Sequence, residues 1–400
     1  MPPRVYITGI GIVSAMGVGV EANLSFAKKG KSPVGKPQIL KTLQEEHYPL
    51  AEVLLSNEEL KNRLGLKNTR VYSRTALLAM VAAKEALDHA GLKPDLTMGY
   101  ISGTSVGGMD KGEYLYDGFI RHHGDWNLHH AHVHDCGEST QTTAESLGIT
   151  NKAITISTAC SSGANAIMHG ARLIKAGKLK RVVAGGTDAL TRFTVNGFRS
   201  LMILSNELCT PFDRDRKGLN LGEGAGYVVL ESEEVVVKEG RVPLCELTGY
   251  ANTCDAYHQT ASSPEGNGAW LAVTGAIRQA KLNPADVQYI NVHGTATPNN
   301  DLSEGIALKR VFGDRLPAFS STKALTGHTL GAAGGIEAVL SALSIQKGII
   351  FPNLHYKTPI EEVGQAPVTR WLEGQEIQNV LSNSFGFGGN NTSLVFSKAR

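Results

Sequence analysis

Aromatic residues are scarce in this chain, 6% of 400 residues, and cysteine is scarcer, with five. Those five (Cys136, Cys160, Cys209, Cys245 and Cys254) are odd in number and none is spaced Cys-x-x-Cys. That argues against a disulfide framework or a zinc module and suits a reducing, cytoplasmic compartment. An excess of charge of one sign is also missing. The net charge of +2 gives no electrostatic reason to expect nucleic acid as a partner, although a local basic patch could still meet an acidic protein. No run of about 18 apolar residues occurs, and the opening residues lack an apolar leader core. Neither a membrane span nor a secretion signal is expected.

What the chain does have is glycine, 45 residues, in a composition that is 42% hydrophobic. Short β-branched runs alternate with helical patterns throughout, which is the signature of α/β architecture. Val5 to Gly11 reads as a strand running into Gly9-Ile-Gly-Ile-Val-Ser14, a near miss to a dinucleotide fingerprint in which Ser14 takes the third glycine's place. A tight turn is the expected role of those glycines. A helix is expected from Ser73 to Ala90, ended by Gly91, followed by a strand at Met98 to Gly103 and the turn Thr104-Ser-Val-Gly-Gly108.

Six of the thirteen histidines fall between His122 and His134. They lack both a His-Glu-x-x-His pattern and an acidic companion, so a polar loop or interface segment is expected there, and no metal.

A charged stretch from Glu231 to Arg241 divides the chain into residues 1–240 and 241–400. The second part repeats the pattern of the first. It has an opening strand at Val242 to Tyr250, a helix at Ala269 to Lys281 and a strand at Gln288 to Val292. A helix from Leu302 to Phe312 capped by Asp301 follows, then a strand at Ala318 to Ser320 and a small-residue helix from Leu330 to Gln346.

The most telling stretch is Ala153-Ile-Thr-Ile-Ser-Thr-Ala-Cys-Ser-Ser-Gly-Ala164. A buried strand meets a helix, and Cys160 stands at the joint, where unpaired N–H groups and the helix dipole favour a thiolate. A lone cysteine there is more often a packed hydrophobe. Two histidine segments, Val292-His-Gly-Thr-Ala-Thr-Pro298 and Ser320-Ser-Thr-Lys-Ala-Leu-Thr-Gly-His328, favour the reagent. Each follows a strand, and strand ends are where ligands gather in α/β sheets. A cysteine hydrolase needs one histidine. A pair of neutral imidazoles suits an enolate, as formed when a malonyl thioester loses CO₂. The glycine-rich Gly386-Phe-Gly-Gly389 could turn backbone N–H groups inward as a second oxyanion hole.

Together these segments resemble the β-ketoacyl-acyl carrier protein synthases of the condensing-enzyme superfamily, the elongating type with a Cys-His-His triad, over essentially the whole chain from Val5 to Phe396. The resemblance implies a thiolase-like fold, two duplicated halves in five αβαβα layers, and a homodimer. It implies Cys160 as the acylated nucleophile, His293 and His328 as the decarboxylation pair, and Lys323 as an electrostatic support paired with Glu337. The oxyanion hole would be the N–H groups of Cys160 and Phe387. Thr295 and Thr297 would hold a phosphopantetheine arm, with Phe387 as gate and Val106 near the acyl pocket. One departure is Asn390, where many relatives carry threonine.

The implied substrates arrive on acyl carrier protein, with no other cofactor. Lys61, Arg63, Lys67 and Arg70 form a candidate docking patch for that acidic partner. The pathway, fatty acid or polyene and polyketide, stays open. So do a heterodimer with a chain-length-factor-like subunit and a non-elongating acyltransferase or thioester hydrolase.

Overall fold

A computed structural model describes residues 3–67, 70–122 and 129–399. Among them, eleven strands join in one sheet: β1 (Val5–Ser14), β2 (Gly17–Val18), β3 (Met98–Gly103), β4 (Lys152–Ile156), β5 (Arg181–Asp188), β6 (Gly224–Ser232), β7 (Cys245–Cys254), β8 (Tyr289–Asn291), β9 (Ala318–Ser320), β10 (Asn379–Gly386) and β11 (Asn390–Ser397). β2 folds back on β1 as a short hairpin arm.

From the junction outward the first half runs β1-β6-β5-β3-β4 and the second β7-β11-β10-β8-β9. In each half the pairing is antiparallel, antiparallel, parallel, parallel. The halves meet where Tyr6 and Ile7 of β1 pair with Glu246 and Cys245 of β7.

Three apolar clusters separate the layers. Outside the first half, the helix Arg74–Ala90 lays Leu77, Leu78, Ala82 and Ala86 on β1, β5 and β6. It starts at Ser73, whose hydroxyl accepts the Ala76 N–H, and stops at Gly91 in the left-handed conformation. Outside the second half, the helix Asn267–Gln279 covers β7 and β11 with Val273, Ala276 and Ile277. Between the two halves of the sheet lie the helices Ser162–Lys175 and Ala333–Lys347, each touching strands of both halves. Their starts approach closely: a Cβ on Gly163 would stand 2.7 Å from the Gly335 nitrogen and 2.9 Å from the Gly331 oxygen. This is the five-layer thiolase-like arrangement.

Two local expectations are corrected. Gly9 and Gly11 make no turn; both lie inside the ten-residue β1. A Cβ at Gly9 would meet the Ala86 oxygen at 2.2 Å and one at Gly11 the Ala82 oxygen at 2.0 Å, so these glycines let a helix press against the strand. Asp301 is no cap either. That helix is Pro298–Phe312, with Pro298 in its first turn after Thr297, and the Asp301 carboxylate accepts the Phe212 N–H at 2.7 Å and the Ala296 N–H at 3.1 Å.

Residues His129–His132 form a short helix, while 123–128 lie outside the described residues. No described helix is long and apolar enough to cross a membrane.

Candidate active site

The chain leaves β4 and reverses through Thr158, Ala159 and Cys160 before the helix Ser162–Lys175 begins. Ala159 holds φ +50°, a strained value for a residue with a Cβ. Its carbonyl accepts the Ser162 hydroxyl at 2.6 Å and the Ser105 hydroxyl at 3.0 Å, and these bonds help hold the turn. Cys160 is buried at 5% exposure. Burial pushes its thiol up to about 12, while the charge of Lys323 and the N–H groups of Phe387 and Cys160 oppose that rise. The N-terminal dipole was expected to favour the thiolate, and desolvation outweighs it.

His293 follows β8. Its N–H and that of Gly294 both donate to Glu304 at 2.9 Å, and Asn383 donates to the same carboxylate at 3.0 Å. Burial moves Glu304 up to about 7. His328 is fixed through its backbone, donating to the Asn220 carbonyl at 2.7 Å and accepting from Gly222 at 3.0 Å. The two rings stand edge to face with centroids 5.4 Å apart. Burial first, and the nearby Lys323 second, hold both imidazoles well below their ordinary range, so both are neutral at physiological pH.

Lys323 lies behind them at 1% exposure. Its ammonium donates to the His293 carbonyl at 2.5 Å and to Glu337 at 2.6 Å, and stands 3.4 Å from His293 Nδ1. An ammonium has only donors, so the nitrogen facing it carries the lone pair and His293 bears its hydrogen on Nε2.

Cys160, His293, His328, Thr295, Thr297 and Phe387 line one cavity of about 230 Å³. The threonine hydroxyls are 2.8 Å apart. Phe387 stacks on Phe198, centroids 5.8 Å apart, across its wall. Lys323 and Glu337 stand just behind. Val106 does not line this cavity; it is buried among Leu190, Val195, Leu219 and Leu330.

Several contributing residues escaped the sequence. Glu304 is one. Asp188 is another, fully buried and pushed up to about 6 by that burial; it accepts from Thr104, Ser105, Val106 and Gly331 and so ties the Val106 turn to the entry of the central helix. Arg216 is a third, donating to the carbonyls of Thr297 at 3.1 Å and Pro298 at 2.5 Å and bracing the threonine loop. For Glu304 and Asp188 the only sequence signal was a charge among small or apolar residues, and Arg216 was hidden in the charged run Asp213-Arg-Asp-Arg-Lys217.

Residues 3–235 match the family model "Beta-ketoacyl synthase, N-terminal domain" and residues 244–357 match "Beta-ketoacyl synthase, C-terminal domain". The chain belongs to the β-ketoacyl synthase family. It is 34% identical to a 3-oxoacyl-[acyl-carrier-protein] synthase 2 of Staphylococcus aureus, over 99% of this chain and 98% of that one. Identity to the synthase 2 of Synechocystis sp. is 33%, with the same coverage.

Among solved structures, the ishigamide ketosynthase/chain length factor superposes with a TM-score of 0.93 at 29% identity, covering all of both chains. A ketosynthase in complex with its chain length factor from Xenorhabdus doucetiae gives 0.86 at 33% identity, over 99% of this chain and 98% of that one. In this β-ketoacyl synthase, Cys160 comes from the half before residue 235, while both histidines and Phe387 come from the half after 244.

Proposed function

We propose that this chain joins an acyl group to a malonyl unit by decarboxylative Claisen condensation, both delivered as thioesters on acyl carrier protein. The observation that carries this reading is one sulfur and two neutral imidazoles on a single small cavity. The Cys160 sulfur attacks the acyl thioester, giving up its proton, and the oxyanion sits against the N–H groups of Cys160 and Phe387. Carrier thiol leaves with a proton, and the acyl group stays on sulfur. Malonyl thioester then enters with its carbonyl oxygen against His293 and His328. The bond to the carboxylate breaks, CO₂ departs, and the electron pair forms an enolate that two N–H donors stabilise. Its carbon attacks the acyl carbonyl, the bond to the Cys160 sulfur breaks, and the sulfur takes up a proton from water.

Thr295 and Thr297 are positioned in this reading to hold the phosphopantetheine arm, so the substrate's own arm is the only prosthetic group required. Residues 1–240 and 241–400 act as duplicated halves, one bringing the nucleophile and the other the histidines and Lys323. All five cysteines are free, which agrees with a cytoplasmic location. Within the basic patch Arg70 is paired with Glu138 and Glu145, so the exposed Arg63 and Lys67 are the better carrier contacts.

Two solved relatives come from assemblies of a ketosynthase with a chain length factor, which favours a second form of the same reading: the catalytic subunit of a polyene or polyketide heterodimer. A hydrolase or a non-elongating acyltransferase leaves the second histidine without work. Incubation with acyl- and malonyl-carrier protein should give the β-ketoacyl-carrier thioester and one CO₂ per product, read by mass spectrometry. Free acid, or acyl exchange with no CO₂, would discard condensation.

A further inference from the structure

The turn Phe387–Gly389 must hold the Phe387 N–H opposite the Cys160 sulfur, yet it is a short link with Gly388 and Gly389 both at positive φ. Asn390 follows it directly and pairs with Gly386 across the hairpin. The side-chain oxygen of Asn390 meets three donors: the Ser161 hydroxyl at 2.7 Å, the Asn165 amide at 2.9 Å and the Asn252 amide at 2.7 Å. Asn252 also donates to the Thr392 hydroxyl at 2.8 Å, and Thr392 donates to the Asn165 oxygen at 2.8 Å. The bonds close a ring through Asn390, Asn165, Thr392 and Asn252. Ser161 and Asn165 belong to the start of the nucleophile helix, Asn390 and Thr392 to β11, and Asn252 to β7. Ser161 is the residue next to Cys160. One acceptor oxygen thus clamps the exit of the Phe387 turn to the segment that carries the sulfur.

We infer that Asn390 is a positioning residue for acyl transfer, fixing the Phe387 N–H relative to the Cys160 sulfur through its side-chain oxygen. This rests on the proposed acyl-enzyme chemistry. The two half-reactions separate its effect: the Phe387 N–H serves the oxyanion formed while Cys160 is acylated, whereas decarboxylation is served by His293 and His328. A general loosening of the fold would slow both.

Asn390→Leu removes the acceptor at similar volume, Asn390→Asp keeps it, and Asn252→Ala breaks the ring at its exposed corner. Single-turnover acylation of Cys160 by acyl-carrier protein would be read by intact mass, and decarboxylation of malonyl-carrier protein by CO₂ release. For Asn390→Leu, acylation should slow about tenfold or more with decarboxylation within about twofold of the parent. Asn390→Asp should restore acylation to within about threefold of the parent, and Asn252→Ala should slow acylation selectively even if the leucine variant does not fold. Equal losses in both half-reactions, or unchanged acylation in both Asn390→Leu and Asn252→Ala, would overturn the inference. A parent protein that never acylates Cys160 would instead overturn the functional reading beneath it.

Discussion

Burial acts in opposite senses on the thiol and the imidazoles. It disfavours charge, so it raises Cys160 and lowers His293 and His328, leaving the sulfur protonated and the rings uncharged at neutral pH. The thiolate is therefore a minority species whose amount grows with pH across the whole neutral range. Iodoacetamide labelling of Cys160 should accelerate by about tenfold per pH unit from 7 to 9 without levelling off. A plateau below pH 9 would contradict a thiol pushed up to about 12. Cys160, His293 and His328 were legible in the sequence because each sits in a short reactive motif after a strand. Glu304 and Asp188 were not, and Asn390 stood out only as a departure from relatives, because their importance lies in the donors that converge on them from distant segments. Val106 is the converse case: its turn was recognisable, while its side chain packs among Leu190, Val195, Leu219 and Leu330 and does not line the cavity at Cys160.

At the scale of elements, contact between the two central helices sets where the reactive loops meet. Glycines make that contact possible, and Gly163 is one test of it. Its added methyl would press on the Gly335 nitrogen and the Gly331 oxygen, both backbone atoms of the opposite half. Gly163→Ala should cost about 1–3 kcal/mol of stability through overpacking, visible as a lower urea midpoint, and should slow condensation. An unchanged midpoint would show that these helices can separate freely. Helix limits at Ser73 and Gly91 were readable from capping chemistry, which is local. The Gly9 and Gly11 pair was misread because the object that requires them is a helix some seventy residues downstream.

For the whole molecule, the repeated order of strands was foreshadowed by a repeated sequence pattern, but the fusion of both halves into one sheet through two residue pairs was not. Nor does sequence reveal where apolar side chains remain uncovered. Tyr114 and Tyr116 of the helix Met109–His122 are 55% and 67% exposed, and Phe193 and Met202 on and after the neighbouring helix Arg192–Ser200 are 63% and 88% exposed. Among the described residues, β4 is the outermost strand of the first half. A surface of this kind favours a partner. At micromolar concentration the purified chain should sediment at twice the mass of one chain, and Tyr116→Asp should weaken that association. A single-chain species with the parent sequence would speak against the homodimer and leave the chain-length-factor-like heterodimer.

The division of the site between the two halves has a consequence for synthesis on the ribosome. The thiol is made first, the imidazoles emerge more than a hundred residues later, and the hairpin bearing Phe387 follows them. Under the proposed mechanism, a nascent polypeptide accordingly holds its sulfur without the groups that would set it to work until the hairpin bearing Phe387 slots into place.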